Sequence, residues 1–155
     1  MRRVVRRYQT AQFGAIEYED DSVVEFPEGL PAFESETRFV LLDRAGTRPV
    51  IFLQSLSNPD LCFVTLPVAL VDPGYRFHLP PGELKDLGIE GVPSLEDPSL
   101  LCVVIVAMGE RHTPAANLMA PVVIHLPSRR ARQVIQRENV YSFEHPLGGR
   151  KEASC

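Results

Sequence analysis

The chain contains no tryptophan, few aromatic residues and no long hydrophobic run, and each shortage removes a class of function. Aromatics make up 8% of the residues, which leaves little of the stacking surface by which small β-barrels hold single-stranded nucleic acid. The longest apolar run, Leu100 to Met108, has the length of a strand, whereas a membrane-spanning helix needs about 18 residues. The start, Met1-Arg2-Arg3-Val4-Val5-Arg6-Arg7, is charged and lacks the apolar stretch and cleavage site of a secretory signal. A cytoplasmic protein is therefore expected. Of the three cysteines, Cys62 and Cys102 lie inside apolar runs and Cys155 is the last residue. Buried reduced thiols are the expectation, and a Cys62–Cys102 disulfide is the less favoured alternative, because a domain of this size needs no covalent staple.

Catalytic and metal-binding patterns are also missing. His78, His112, His125 and His145 are widely separated, and there is no Cys-x-x-Cys pair, Gly-x-Ser-x-Gly elbow, phosphate-binding loop or dinucleotide fingerprint. His125 lies in an apolar run and reads as a core or edge residue. No enzymatic reaction, cofactor or metal is expected.

What is present is a chain of 155 residues, 45% hydrophobic and 23% charged, enough for one core. The net charge of −4 hides an asymmetry: residues 9 to 127 hold 17 acids against 6 bases, while the two ends together hold 3 acids against 10 bases. Glu17, Glu19, Asp20, Asp21, Glu25, Glu28, Glu34 and Glu36 follow one another with no Lys or Arg between them. Such a surface repels nucleic acid and attracts a basic protein; the competing reading is a solvated face that only aids solubility. Arg2, Arg3, Arg6 and Arg7, with Arg129, Arg130, Arg132 and Arg137, would form a basic patch if the first and last strands were neighbours. RNA binding through these ends is the alternative function; charged edge strands are the simpler account.

Short apolar runs separated by Pro, Gly, Asn or Asp read as strands. They are Val4–Gln9, Phe13–Tyr18, Ser22–Phe26, Arg38–Leu42, Val50–Leu56, Leu61–Leu66, Tyr75–Leu79, Leu100–Ala107, Ala120–Leu126 and Gln133–Arg137. Glu19-Asp20-Asp21 suggests a tight hairpin between the second and third. The 14 prolines interrupt almost every window in which a long helix would fit. One short helix is expected near residues 81–88, with Pro81 near its start and Gly88 past its end. The fold class is mainly all-β: one small closed or partly open β-barrel or sandwich, which leaves few exposed edges. Residues 1–147 form the expected domain and 148–155 a flexible tail.

Three segments do not read as ordinary strand and turn. In Val24-Glu25-Phe26-Pro27-Glu28-Gly29-Leu30-Pro31-Ala32-Phe33 a strand runs into a loop that carries Leu30 and Phe33, which either plug the barrel end or meet a partner. In Thr113-Pro114-Ala115-Ala116-Asn117-Leu118-Met119-Ala120-Pro121, Asn117 suits a turn with its side chain bonding the backbone. The third, Tyr141-Ser142-Phe143-Glu144-His145-Pro146-Leu147, reads as a short extended end that packs back on the body.

With Phe39-Val40-Leu41-Leu42, Phe52-Leu53-Gln54-Ser55 and Tyr75-Arg76-Phe77, these segments closely resemble the flagellar assembly factor FliW family, from about Phe13 to Leu147. The resemblance implies a cytoplasmic protein, monomeric when free, with two alternative protein partners and no direct nucleic-acid or membrane contact. One partner is the basic RNA-binding translational regulator CsrA, whose repression of flagellin messenger RNA a FliW-like protein relieves; the other is unassembled flagellin, which competes for the same protein. On this reading the acids from Glu17 to Glu36 meet CsrA, and Leu30, Phe33, Asn117, Leu118 and Met119 supply the contact with either partner. The family commonly has a second Gly where this chain has Ala32; were positive φ required there, Ala would cost about 1 kcal/mol.

Overall fold

The computed structural model describes residues 4–91, 94–108, 113–136 and 141–147. Its strands are β1 Val5–Thr10, β2 Gly14–Glu19, β3 Val23–Glu25, β4 Arg38–Asp43, β5 Ile51–Ser55, β6 Cys62–Pro67, β7 Leu100–Met108, β8 Pro114–Ala116, β9 Val122–His125, β10 Arg130–Gln133 and β11 His145–Pro146. Two short helices, α1 Val68–Val71 and α2 Pro81–Leu87, lie between β6 and β7. Seven strands close a barrel in the order β7-β6-β5-β4-β3-β10-β9, with β9 returning to pair with β7. Closure is possible because β7 is long: its first half pairs with β9 from Leu100 to Val103, and its second half pairs with β8 from Val106 to Met108. Strands β8 and β11 therefore extend the wall past the barrel proper.

The unbroken apolar run of β7 has a structural reason, since a strand buried on both faces needs no polar alternation. Leu101, Val103 and Ile105 face the barrel interior with Val24, Phe26, Leu30, Phe39, Leu53, Val122, Ile124 and Ala131. Leu100, Cys102 and Val104 face outward into a second core with Val68, Tyr75, Leu79, Leu87, Leu118 and Val123. The segment from α1 through α2 covers that outer wall. Cys62 and Cys102 are free thiols, and burial pushes them up to about 11 and about 12.

Helix α2 follows its sequence signals. Pro81 occupies the first turn, and Gly88 takes the left-handed conformation at φ 81°, so its N–H reaches the carbonyls of Leu84 and Lys85. Three expectations are corrected. Residues 19–21 do not form a hairpin: Asp20–Ser22 is a 3-10 turn, and β2 pairs only with β1 while β3 joins the barrel beside β4 and β10. Without a Gly, the acidic triplet cannot make the tight primed turn that two paired strands require. Tyr75–Leu79 is extended but joins no sheet; its alternation is satisfied by Tyr75, Phe77 and Leu79 resting on the outer core. The strand expected at Gln133–Arg137 is Arg130–Gln133 instead, shifted because Arg130 and Arg132 disguise a strand whose Ala131 is buried in the barrel. The notebook of short elements also lacked β8 and β11, each of two or three residues and each containing a proline.

Among the described residues no helix is long and apolar enough to cross a membrane, and no three His, Cys, Asp or Glu side chains gather as a metal site. The expected tail, 148–155, lies outside the described residues, as do Arg2, Arg3, His112 and Arg137.

Candidate functional site

The three unusual segments converge on one end of the barrel. There Leu30, Pro31, Phe33, Phe63, Ile105, Asn117, Met119, Ala120, Gln133, Ile135 and Phe143 line an open cleft of about 390 Å³. A chain of aromatic rings leads into it from the core: Phe26 meets Phe39 edge-on at 5.2 Å, Phe39 lies 6.0 Å from Phe63, and Phe63 meets Phe33 edge-on at 5.5 Å. The floor is therefore held by the barrel itself.

Local sequence explains how each wall stands. In Leu30-Pro31-Ala32-Phe33 the Phe33 N–H donates to the Leu30 carbonyl at 2.7 Å, with Pro at the second position and Ala32 at φ 72° in the third. This is the residue pattern of a type II turn, whose third position favours Gly. Gly29 also has positive φ, and a Cβ there would run into the Glu34 backbone. In the second wall the Asn117 Oδ1 accepts the N–H groups of Met119 and Ala120 at 3.2 and 3.1 Å, the side-chain turn its sequence suggested. The third wall is tied down by Leu118 N–H to Ser142 O at 2.9 Å and Leu147 N–H to Pro114 O at 3.1 Å. Behind them the Tyr75 hydroxyl donates to the Leu118 carbonyl at 2.6 Å, and its ring stacks on Tyr141 at 4.2 Å. Burial pushes the Tyr75 phenol upward, so it remains a donor.

The apolar residues singled out in the sequence separate into two groups. Leu30 and Leu118, each 2% exposed, belong to the two cores; Leu118 does not line the cleft. Phe33 at 38% and Met119 at 37% stand on the rim. The plug and the surface are thus adjacent residues of one loop. Sequence reasoning did not single out Ile135 and Phe143, exposed by 46% and 64%, or Phe63 and Ile105. A large apolar residue in each of two segments near the chain's end was the available signal.

The acids are dispersed among arginines and do not make one uniform face. Glu17 sits opposite Arg7 and Glu19 opposite Val5 in the β1–β2 ladder. Asp20 pairs with Arg6 at 2.7 Å, which holds its carboxyl below the usual range; Asp21 is exposed on the same turn. Glu25 lies across from Arg38 in the sheet, and Glu28 meets Arg132 at 2.9 Å. Glu34 accepts the Ala32 N–H. Glu36 accepts the Ser57 and Ser55 hydroxyls at 2.6 and 2.7 Å, and these bonds hold its carboxyl low. Arg6, Tyr18, Asp20, Glu25, Arg38 and Arg129 share a polar groove of about 550 Å³. The first strand and the β9–β10 turn are neighbours there, but carboxylates interrupt the arginines.

The fold and site define a small closed β-barrel protein with an apolar cleft built from loops at one end and mixed charge beside it. A family model described as FliW protein matches residues 7–147, and the chain belongs to that family of flagellar assembly factors. The FliW proteins of Thermoanaerobacter pseudethanolicus and Caldanaerobacter subterraneus are 32% and 34% identical to it, each alignment covering 89% of this chain and 90% of the relative. A crystal structure of the flagellar assembly factor FliW superposes with a TM-score of 0.80 at 32% identity, covering 92% of this chain and 96% of that one.

Proposed function

We propose that this protein is a regulatory binding protein that acts in the cytoplasm through a partner switch. It binds CsrA and relieves repression of flagellin translation; accumulating flagellin then captures it and releases CsrA. The observation that carries the reading is that three landmarks of the family resemblance, separated in sequence, line one cleft. A protein whose distinctive segments meet at an accessible apolar surface is equipped for recognition. The acids from Glu17 to Asp21 and at Glu25, Glu28 and Glu34 would steer a basic regulator toward the barrel, more effectively at low salt.

The test is titration calorimetry of the full chain with CsrA from the same organism, with and without excess monomeric flagellin. Saturable binding that flagellin abolishes is expected; absence of CsrA binding would overturn the reading. RNA binding through the basic ends is the weaker reading, because Arg6 and Arg129 share their groove with Asp20 and Glu25. Salt-sensitive retention of RNA in a parallel measurement would favour it.

A further inference from the structure

We infer that the cleft is a docking groove for a single amphipathic helix of a protein partner, one presenting an apolar stripe with Lys or Arg on its flanks. The inference deepens the binding-protein reading and rests on it.

The character of the groove comes first. None of its lining residues is charged, and its four exposed apolar side chains, Phe33, Met119, Ile135 and Phe143, come from separate parts of the chain. Scattered surface apolar residues need no explanation, but a converging set marks an interaction surface. Strand addition is poorly served here. The adjacent sheet edge is β11, only His145–Pro146, and Pro146 has no N–H to offer a new strand. An apolar groove beside a blunted edge fits the other common mode, a helix laid in by side chains at i, i+3, i+4 and i+7.

Charge then selects the helix. The chain neighbours of the exposed apolar residues include Glu34, next to Phe33, and Glu144, next to Phe143. The cation adjoining the lining, Arg132 beside Gln133, is already engaged by Glu28, Glu83 and Asp86. The rim is left acidic, complementary to basic flanks and unfavourable to acidic ones.

The test uses a fluorescein-labelled synthetic peptide of about 18 residues, long enough to form a helix in isolation, with Leu at the stripe positions and Lys at the flanks. A control peptide keeps the composition but scrambles the order. Fluorescence anisotropy against the full chain should show saturable binding of the patterned peptide alone. The double variant Ile135→Ser/Phe143→Ser should weaken it at least tenfold with an unchanged melting temperature, and Glu34→Gln/Glu144→Gln should weaken it severalfold at low salt only. Equal binding of both peptides, or unchanged affinity of the double variant, would overturn the inference. So would sedimentation showing a wild-type dimer that the double variant abolishes, since a second copy would then be the occupant. Failure of the peptide with a successful CsrA titration removes only the groove; peptide binding without CsrA or flagellin binding removes the proposed switch.

Discussion

The two sides of the barrel treat apolar surface in opposite ways. On the outer wall, the outward residues of β7 are covered by Val68, Tyr75, Leu79 and Leu87 from the segment carrying α1 and α2. At the cleft end, the aromatic chain that begins with buried Phe26 and Phe39 emerges at Phe33, with Met119, Ile135 and Phe143 beside it and no segment over them. The same chain closes one surface with a helix and leaves the other open. A fold optimised only for stability would cover both, because each large apolar side chain fully buried contributes about 1.5–3 kcal/mol. The uncovered end is where stability has been left unused, and that is the expected mark of a surface kept for a partner.

Paired truncations should break the comparison most sharply. Phe39→Ala removes a ring that is wholly buried between Phe26 and Phe63, so a loss of about 3–5 kcal/mol is expected. Phe143→Ala, at the open end, should change stability by within about 0.5 kcal/mol. Urea unfolding of both variants measures the difference, and similar losses would mean that the cleft residues belong to the core. A subtler probe is Tyr75→Phe, which keeps the packing but withdraws the hydroxyl from the Leu118 carbonyl. Leaving a buried acceptor unsatisfied costs about 1–3 kcal/mol. Because that bond braces the wall containing Asn117 and Met119, the variant should also weaken binding in the cleft, which calorimetry with a partner would register.

The sequence disclosed the two sides unequally. Strands β4 to β6 were readable because their β-rich runs end at turn residues, and α2 because Pro81 and Gly88 punctuate it. Tyr75–Leu79 shows the limit: period-two alternation reports burial on one face but not whether the other edges of the backbone enter a ladder. Closure of the barrel was foreseeable as a way to remove edges, yet the parallel contact between β3 and β10 was not, since its register is a single pair, Arg130 with Glu25. The cleft was half legible. Leu30 and Phe33 looked alike in sequence, and only the turn between them decides that one enters the barrel while the other stands on the rim. The acids were visible as a run, but their arginine partners come from distant positions: Arg6, Arg38 and Arg132.

Ala32 offers the finest comparison, between a loop shaped for function and one shaped for stability. At φ 72° it occupies the left-handed region, where a Cβ costs an L-residue roughly 1–2 kcal/mol. Gly would relieve that cost but lose more freedom on folding, by roughly 0.5–1 kcal/mol relative to Ala. Ala32→Gly should therefore stabilise the protein by about 0.5–1 kcal/mol, seen as a higher urea midpoint with an unchanged slope. The exposed Ala32 methyl is not among the groups lining the cleft, so partner affinity should stay within about twofold, less than 0.5 kcal/mol. A more stable variant with weaker binding would show that the turn's restricted backbone pre-organises Phe33 for its partner. A destabilised variant would show that the turn does not impose positive φ on the chain in solution.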